Sequence, residues 1–162
     1  MQTNLKMFNF GKNAHYIKEV INLKFINSEH QKFYEEKLEE IGKTKRIDSY
    51  YRSLIYTLGV CETTRNNFNK IFNIKDEAIN IDSICAGWQT TTSAKVTRMA
   101  FSLWCTCMYD SEENIEKEIK SNEYNVSEIF CCGYAPYFFE AIKIRYPEYT
   151  KESIAIEDEL LI

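Results

Sequence analysis

Apolar positions recur at helical spacing along most of this chain, and most densely between Ser93 and Met108. There Val96, Met99, Ala100, Leu103 and Cys107 repeat on one helix face, while Phe101, Trp104, Cys105 and Met108 fill the opposite side of the second half. A helix that is apolar all round has to be surrounded, so this segment is predicted to be the central element of a helical core.

The flanking segments read the same way. Ser28 and Gln31 have capping-box spacing and predict a helix with Phe33, Tyr34, Leu38 and Ile41 inward, Glu35, Glu36, Glu39 and Glu40 in water, and its end at Gly42. Asp48 or Ser49 caps a second helix that carries Tyr51, Leu54, Ile55 and Leu58 to Gly59. Thr63 or Thr64 opens a third, with Phe68, Ile71 and Phe72 inward and an exit at Asn73. Ile81, Ile84, Cys85 and Trp88 share a face, which predicts short helical pieces between Asp76 and Trp88; one of Thr90 to Ser93 then caps the central helix. Ser111, Glu112 and Glu113 start a surface helix with a thin stripe, Ile115 and Ile119. Ile129 to Cys132 form a short apolar turn before Gly133, and a last core helix carries Tyr137, Phe138, Ala141, Ile142 and Arg145 from Pro136 to Pro147.

The expected fold is therefore mainly α, a compact single-domain bundle of about six or seven helices around a central apolar helix. Residues 1–22, with a short amphipathic stretch from Ala14 to Ile21, are expected to be an N-terminal extension, 23–149 the helical domain and 150–162 an acidic tail whose Ile154, Ile156, Leu160, Leu161 and Ile162 are available for docking.

Composition narrows the function classes. Only 5 Gly and 2 Pro in 162 residues leave too little punctuation for a sandwich or barrel. A net charge of −4 gives no overall field for a phosphate backbone, so nucleic acid would need a local basic patch, the best being Lys43, Lys45, Arg46 and Arg52. Neither a signal peptide nor a membrane span is legible, and a cytoplasmic location is expected, with the six cysteines reduced and mostly acting as small hydrophobes.

Four separated segments, Phe25–His30, Asp48–Tyr51, Gly87–Thr90 and Tyr134–Phe138, together with the ending Ala141–Tyr149, resemble a domain-of-unknown-function family of Gram-positive bacteria and their mobile elements. The resemblance runs from about Leu23 to Tyr149 and brings no catalytic residues with it. It implies a mobile-element context, in which small proteins serve transfer, regulation or evasion of host defence.

The chain offers little for catalysis. His15 and His30 are its only imidazoles, and His30, in the first turn of a capped helix, is expected to face solvent in a structural role. The pairs Cys105, Cys107 and Cys131, Cys132 lack zinc-ligand spacing, so no metal or other cofactor is expected. Tyrosines and arginines are enriched at binding hot spots, and the expected partner-binding residues are Tyr50, Arg52, Tyr134, Tyr137, Arg145 and Tyr149, with Tyr51 and Tyr146 beside them. Acidic Glu36, Glu39 and Glu40, or the tail's Glu157, Asp158 and Glu159, would engage a basic groove.

The expected function is a non-enzymatic cytosolic protein-binding module of mobile-element origin. Its partner would be a host or element-encoded protein, such as a nucleic-acid-binding effector, and in its sharpest form it would inhibit a host defence nuclease of the CRISPR type by occlusion. One alternative is a helix-turn-helix-like DNA-binding regulator over Ile81 to Ser102, in which Lys95 and Arg98, with Ser93 and Thr97, face the groove; the turn is long and the second helix very apolar for that role. The other is an enzyme whose groups are invisible without the fold.

Overall fold

A computed structural model describes residues 23–105 and 122–150. Seven α-helices lie within them: α1 Ser28–Gly42, α2 Ser49–Gly59, α3 Glu62–Asn66, α4 Phe68–Ile71, α5 Thr91–Trp104, α6 Val126–Phe130 and α7 Ala135–Arg145. Strands β1 Phe72–Asn73 and β2 Ala78–Ile79 form an antiparallel pair, and 3₁₀ turns occupy Ile81–Cys85 and Asn122–Tyr124. The protein is mainly helical, a small bundle with little strand. The helix expected after Ser111, the stretch Ala14–Ile21, His15, Cys107, Met108 and the tail after Thr150 lie outside the described residues.

The centre is α2, three helices before the densest apolar pattern in α5. Packed against α1, α5 and α7, helix α2 has Tyr51 and every residue from Ser53 to Gly59 buried. Ser53 and Thr57 tolerate this because they bond to their own helix: Thr57 donates to the Ser53 carbonyl at 2.6 Å and Ser53 to the Tyr50 carbonyl at 3.1 Å. Asp48 caps the helix, accepting the Tyr50 and Tyr51 amides at 2.9 and 3.1 Å.

The other end of α2 is more unusual. The last carbonyls of a helix have no partner within it, and here they are buried. Each is met: Tyr56 C=O by His30 Nε2 at 2.8 Å, Thr57 C=O by the Val60 amide at 3.3 Å, Leu58 C=O by Thr64 Oγ1 at 2.5 Å and Gly59 C=O by Arg65 Nη1 at 2.6 Å. A Cβ on Gly59 would sit 2.5 Å from the His30 ring, so only glycine lets α1 approach this closely.

His30 is thus fully buried, not solvent-facing. Its helix is capped one residue before the expected Ser28, by Asn27, the Oδ1 of which accepts the His30 amide at 2.9 Å. That cap turns His30 inward beside Tyr34, Leu38 and Ile41, while Glu35, Glu36, Glu39 and Glu40 stay exposed as the pattern implies.

The expected third helix is broken. Asn67, at φ −114 and ψ 17, separates α3 from α4, and Phe72 leaves the helix to pair with Ile79. Asn73 drives the reversal, its side-chain oxygen accepting the Lys75 and Asp76 amides, and Glu77 takes a left-handed φ of 55°. Helix α5 begins at a Thr90–Ser93 capping box and stops at Trp104, so Cys105 is extended and exposed rather than packed. From Ser93 to Trp104 none of its residues is exposed. Cysteines are also less buried than expected: Cys61 is buried, but Cys85, Cys105 and Cys131 are exposed.

Candidate interaction surface

At the open end of the bundle, the start of α2 meets the ends of α5 and α7. The Asp48 cap fixes the first turn of α2 so that Tyr51 points into the core and its neighbour Tyr50 stays 41% exposed. Helix α5 ends in Leu103 and Trp104, leaving the Leu103 carbonyl without an intrahelical partner. Arg145, the last residue of α7, supplies one, its Nε donating at 2.9 Å. The guanidinium carbon then lies 3.3 Å from the Tyr50 ring centre and 4.6 Å from that of Tyr146. Trp104 closes the inner side, edge-on to Tyr50, Tyr51 and Phe72 at 6.2, 5.1 and 4.8 Å. Tyr149 is 79% exposed, its amide held by the Tyr146 carbonyl at 3.1 Å. The result is a cation held between rings, with large aromatic area left in water.

Of the partner-binding residues read from sequence, Tyr50 and Arg145 are brought into contact, and Tyr149 follows within the same short ending. Arg52 is half-buried on α2. Tyr137 and Tyr134 are half-buried elsewhere: Lys24 Nζ lies 5.6 Å from the Tyr137 ring centre, while burial and neighbouring Cys61 push the Tyr134 hydroxyl upward. Glu36, Glu39 and Glu40 line the exposed side of α1 but pair with Lys32, Lys43 and Lys37 at 3.9, 3.5 and 2.7 Å. Trp104 and the Leu103 carbonyl were missed. Trp104 reads as core, and a carbonyl at a helix end becomes visible only once the end is known.

The groove-facing side chains of the DNA-binding alternative have other engagements. Ser93 and Thr97 are fully buried, Arg98 pairs with Glu123 at 3.0 Å, and Lys95 donates to the Cys131 carbonyl at 3.2 Å. Gln89 bridges the long turn, donating to the Ser83 carbonyl and Thr97 hydroxyl and accepting from Ser93.

Both ring nitrogens of His30 are occupied. Because a carbonyl only accepts, Nε2 carries the proton toward Tyr56, and Nδ1 accepts the Ile26 amide at 3.4 Å. Burial holds the ring neutral, lowering its pKa to about 4 against the partly compensating bond to Tyr56. Tyr56 donates its hydroxyl to the Lys24 carbonyl, and burial raises its pKa. These are the bonds of a packed joint. Among the described residues there is no group of three His, Cys, Asp or Glu able to hold a metal, and no helix long and apolar enough to cross a membrane.

The family model of DUF6075, a family of unknown function, matches residues 20–158, and the chain belongs to that family. No curated protein and no solved structure matches it.

Proposed function

We propose that this DUF6075 protein is a non-enzymatic protein-binding module and that its contact surface is the aromatic end of the bundle built on Tyr50, Arg145 and Tyr146. The observation carrying this is the Arg145 guanidinium at 3.3 Å over a Tyr50 ring that is itself 41% exposed. Tyrosine and arginine dominate binding hot spots because each buries a large amphipathic surface at modest entropy cost. In the narrower form of the proposal, the protein is carried by mobile elements of Gram-positive bacteria, acts in the cytoplasm and occludes a host defence nuclease. The exposed carboxylates of α1 would then steer its approach to a basic groove.

The test is affinity capture from host lysate with tagged wild type, Tyr50→Ala and Arg145→Ala, each with and without nuclease treatment. A stoichiometric protein recovered after nuclease by the wild type, and lost with either variant, supports the reading. Recovery of nucleic acid alone overturns it and makes Lys95 and Arg98 the residues to change next.

A further inference from the structure

We propose that Arg145 is a receptor for one carboxylate, and that the partner is an acidic peptide segment in which a Glu or Asp is flanked by apolar side chains. This rests on the interaction surface proposed above and names what it recognises. A guanidinium carries its N–H donors in a rigid planar fork that matches a carboxylate bidentately. In Arg145 the Nε edge is committed to the Leu103 carbonyl at 2.9 Å, and Tyr50 and Tyr146 lie 3.3 and 4.6 Å away as ring neighbours. Position and plane are therefore set before any ligand arrives, which lowers the ordering cost of binding. Among the described residues no carboxylate lies within ion-pair distance of Arg145, so the two Nη groups form the edge left to receive one.

The surroundings select one carboxylate rather than a polyanion. Lys143, the other cation in the last turn of α7, pairs with Glu140 at 3.9 Å, and the Asp48 carboxylate caps the helix that carries Tyr50. A phosphate backbone needs a row of cations, which these residues do not provide. Exposed rings of Tyr50 and Tyr149 supply apolar area for side chains flanking the bound carboxylate.

The experiment titrates the ¹⁵N-labelled full chain with acetyl-Leu-Glu-Leu-amide, acetyl-Leu-Gln-Leu-amide and inorganic phosphate, reading the Arg145 Nε–H signal and the Tyr50 and Tyr146 amides. Saturable shifts at these signals with the Glu peptide, at least about tenfold weaker with the Gln peptide and with phosphate, are expected. Arg145→Gln should abolish them, and Arg145→Lys, which keeps the charge without the fork, should weaken them severalfold. Equal response to the two peptides, no saturable shift, or phosphate binding as tightly as the Glu peptide overturns the proposal. The peptide comparison on the unaltered protein decides the question even where Arg145→Gln fails to fold. A protein captured through Tyr50 and Arg145 with no Glu preference in this titration would leave the interaction surface standing and remove only its carboxylate receptor.

Discussion

The two ends of α2 use similar residues to opposite effect. At its C-terminal end an arginine, a threonine and a histidine from α1 and α3 reach in to satisfy carbonyls that the fold has taken out of water. At its N-terminal end an arginine from α7 satisfies a carbonyl of α5, but rings rather than a sealed core surround it, and the patch stays open. The closed end spends its polar groups on the fold; the open end keeps hot-spot residues in solvent. Substitutions at the closed end should therefore cost stability and those at the open end should cost binding.

The sharpest way to break this contrast is at His30. His30→Ala removes a fully buried ring and leaves the Tyr56 carbonyl unpaired, so a loss of about 3 kcal/mol or more is expected in urea unfolding. A loss under about 1 kcal/mol would mean that this end is far looser than its geometry implies. Acid titration sharpens the same point. The folded pKa of His30 lies below the ordinary value, at about 4 rather than 6.5, so its protonation favours the unfolded chain. Its stabilising contribution is full above about pH 6.5 and declines as pH falls toward 4, by an order of magnitude of about 3 kcal/mol. Unfolding of wild type and His30→Gln between pH 7 and 4 should show a steeper fall for the wild type; parallel curves would refute the assignment.

Thr64→Val is the next test. The shape is kept, but the Leu58 carbonyl loses its 2.5 Å hydroxyl, and a cost of about 1 to 3 kcal/mol should appear in thermal unfolding. An unchanged midpoint would show that water replaces the hydroxyl and that the end is not sealed.

Much of the fold was legible because it follows from period and caps. Tyr51, Leu54, Ile55 and Leu58 are buried as their spacing requires, Asp48 and Thr90 cap where expected, and Pro136 lies in the first turn of the last helix. What was hidden depends on tertiary partners. Ser53, Thr57 and His30 look polar in sequence and are buried because each finds a backbone partner. The pairing of Phe72 with Ile79 overrides the helical period, since the Asn73 turn offers the chain a second partner. At the site, Tyr50, Arg145 and Tyr149 were readable as residue types rich in binding surfaces, but no local pattern brings α2, α5 and α7 to one end.

At the open end, Arg145→Gln should cost about 1 to 2 kcal/mol in urea unfolding, because the half-buried cation loses one hydrogen bond and its ring contacts but no fully buried group is left behind. A loss as large as that for His30→Ala would make Arg145 a structural strut and erase the distinction between the two ends.

The smallest effect is expected on the exposed side of α1. Glu36, Glu39 and Glu40 each pair with a lysine three or four residues away, at contacts of 3.9, 3.5 and 2.7 Å. Exposed pairs of this kind gain little Coulomb energy in water and lose side-chain freedom, so their individual contributions fall within a few tenths of a kcal/mol. Replacing all three glutamates by alanine removes these pairs but leaves three lysines and a strong helix former at each site, and the two effects oppose each other. Stability should move by no more than about 0.5 kcal/mol, while affinity for a basic partner at low salt should fall. Unchanged affinity would remove electrostatic steering by α1 and leave recognition to the aromatic end alone; a large loss of stability would show that this acidic face is packed against something the bundle itself provides.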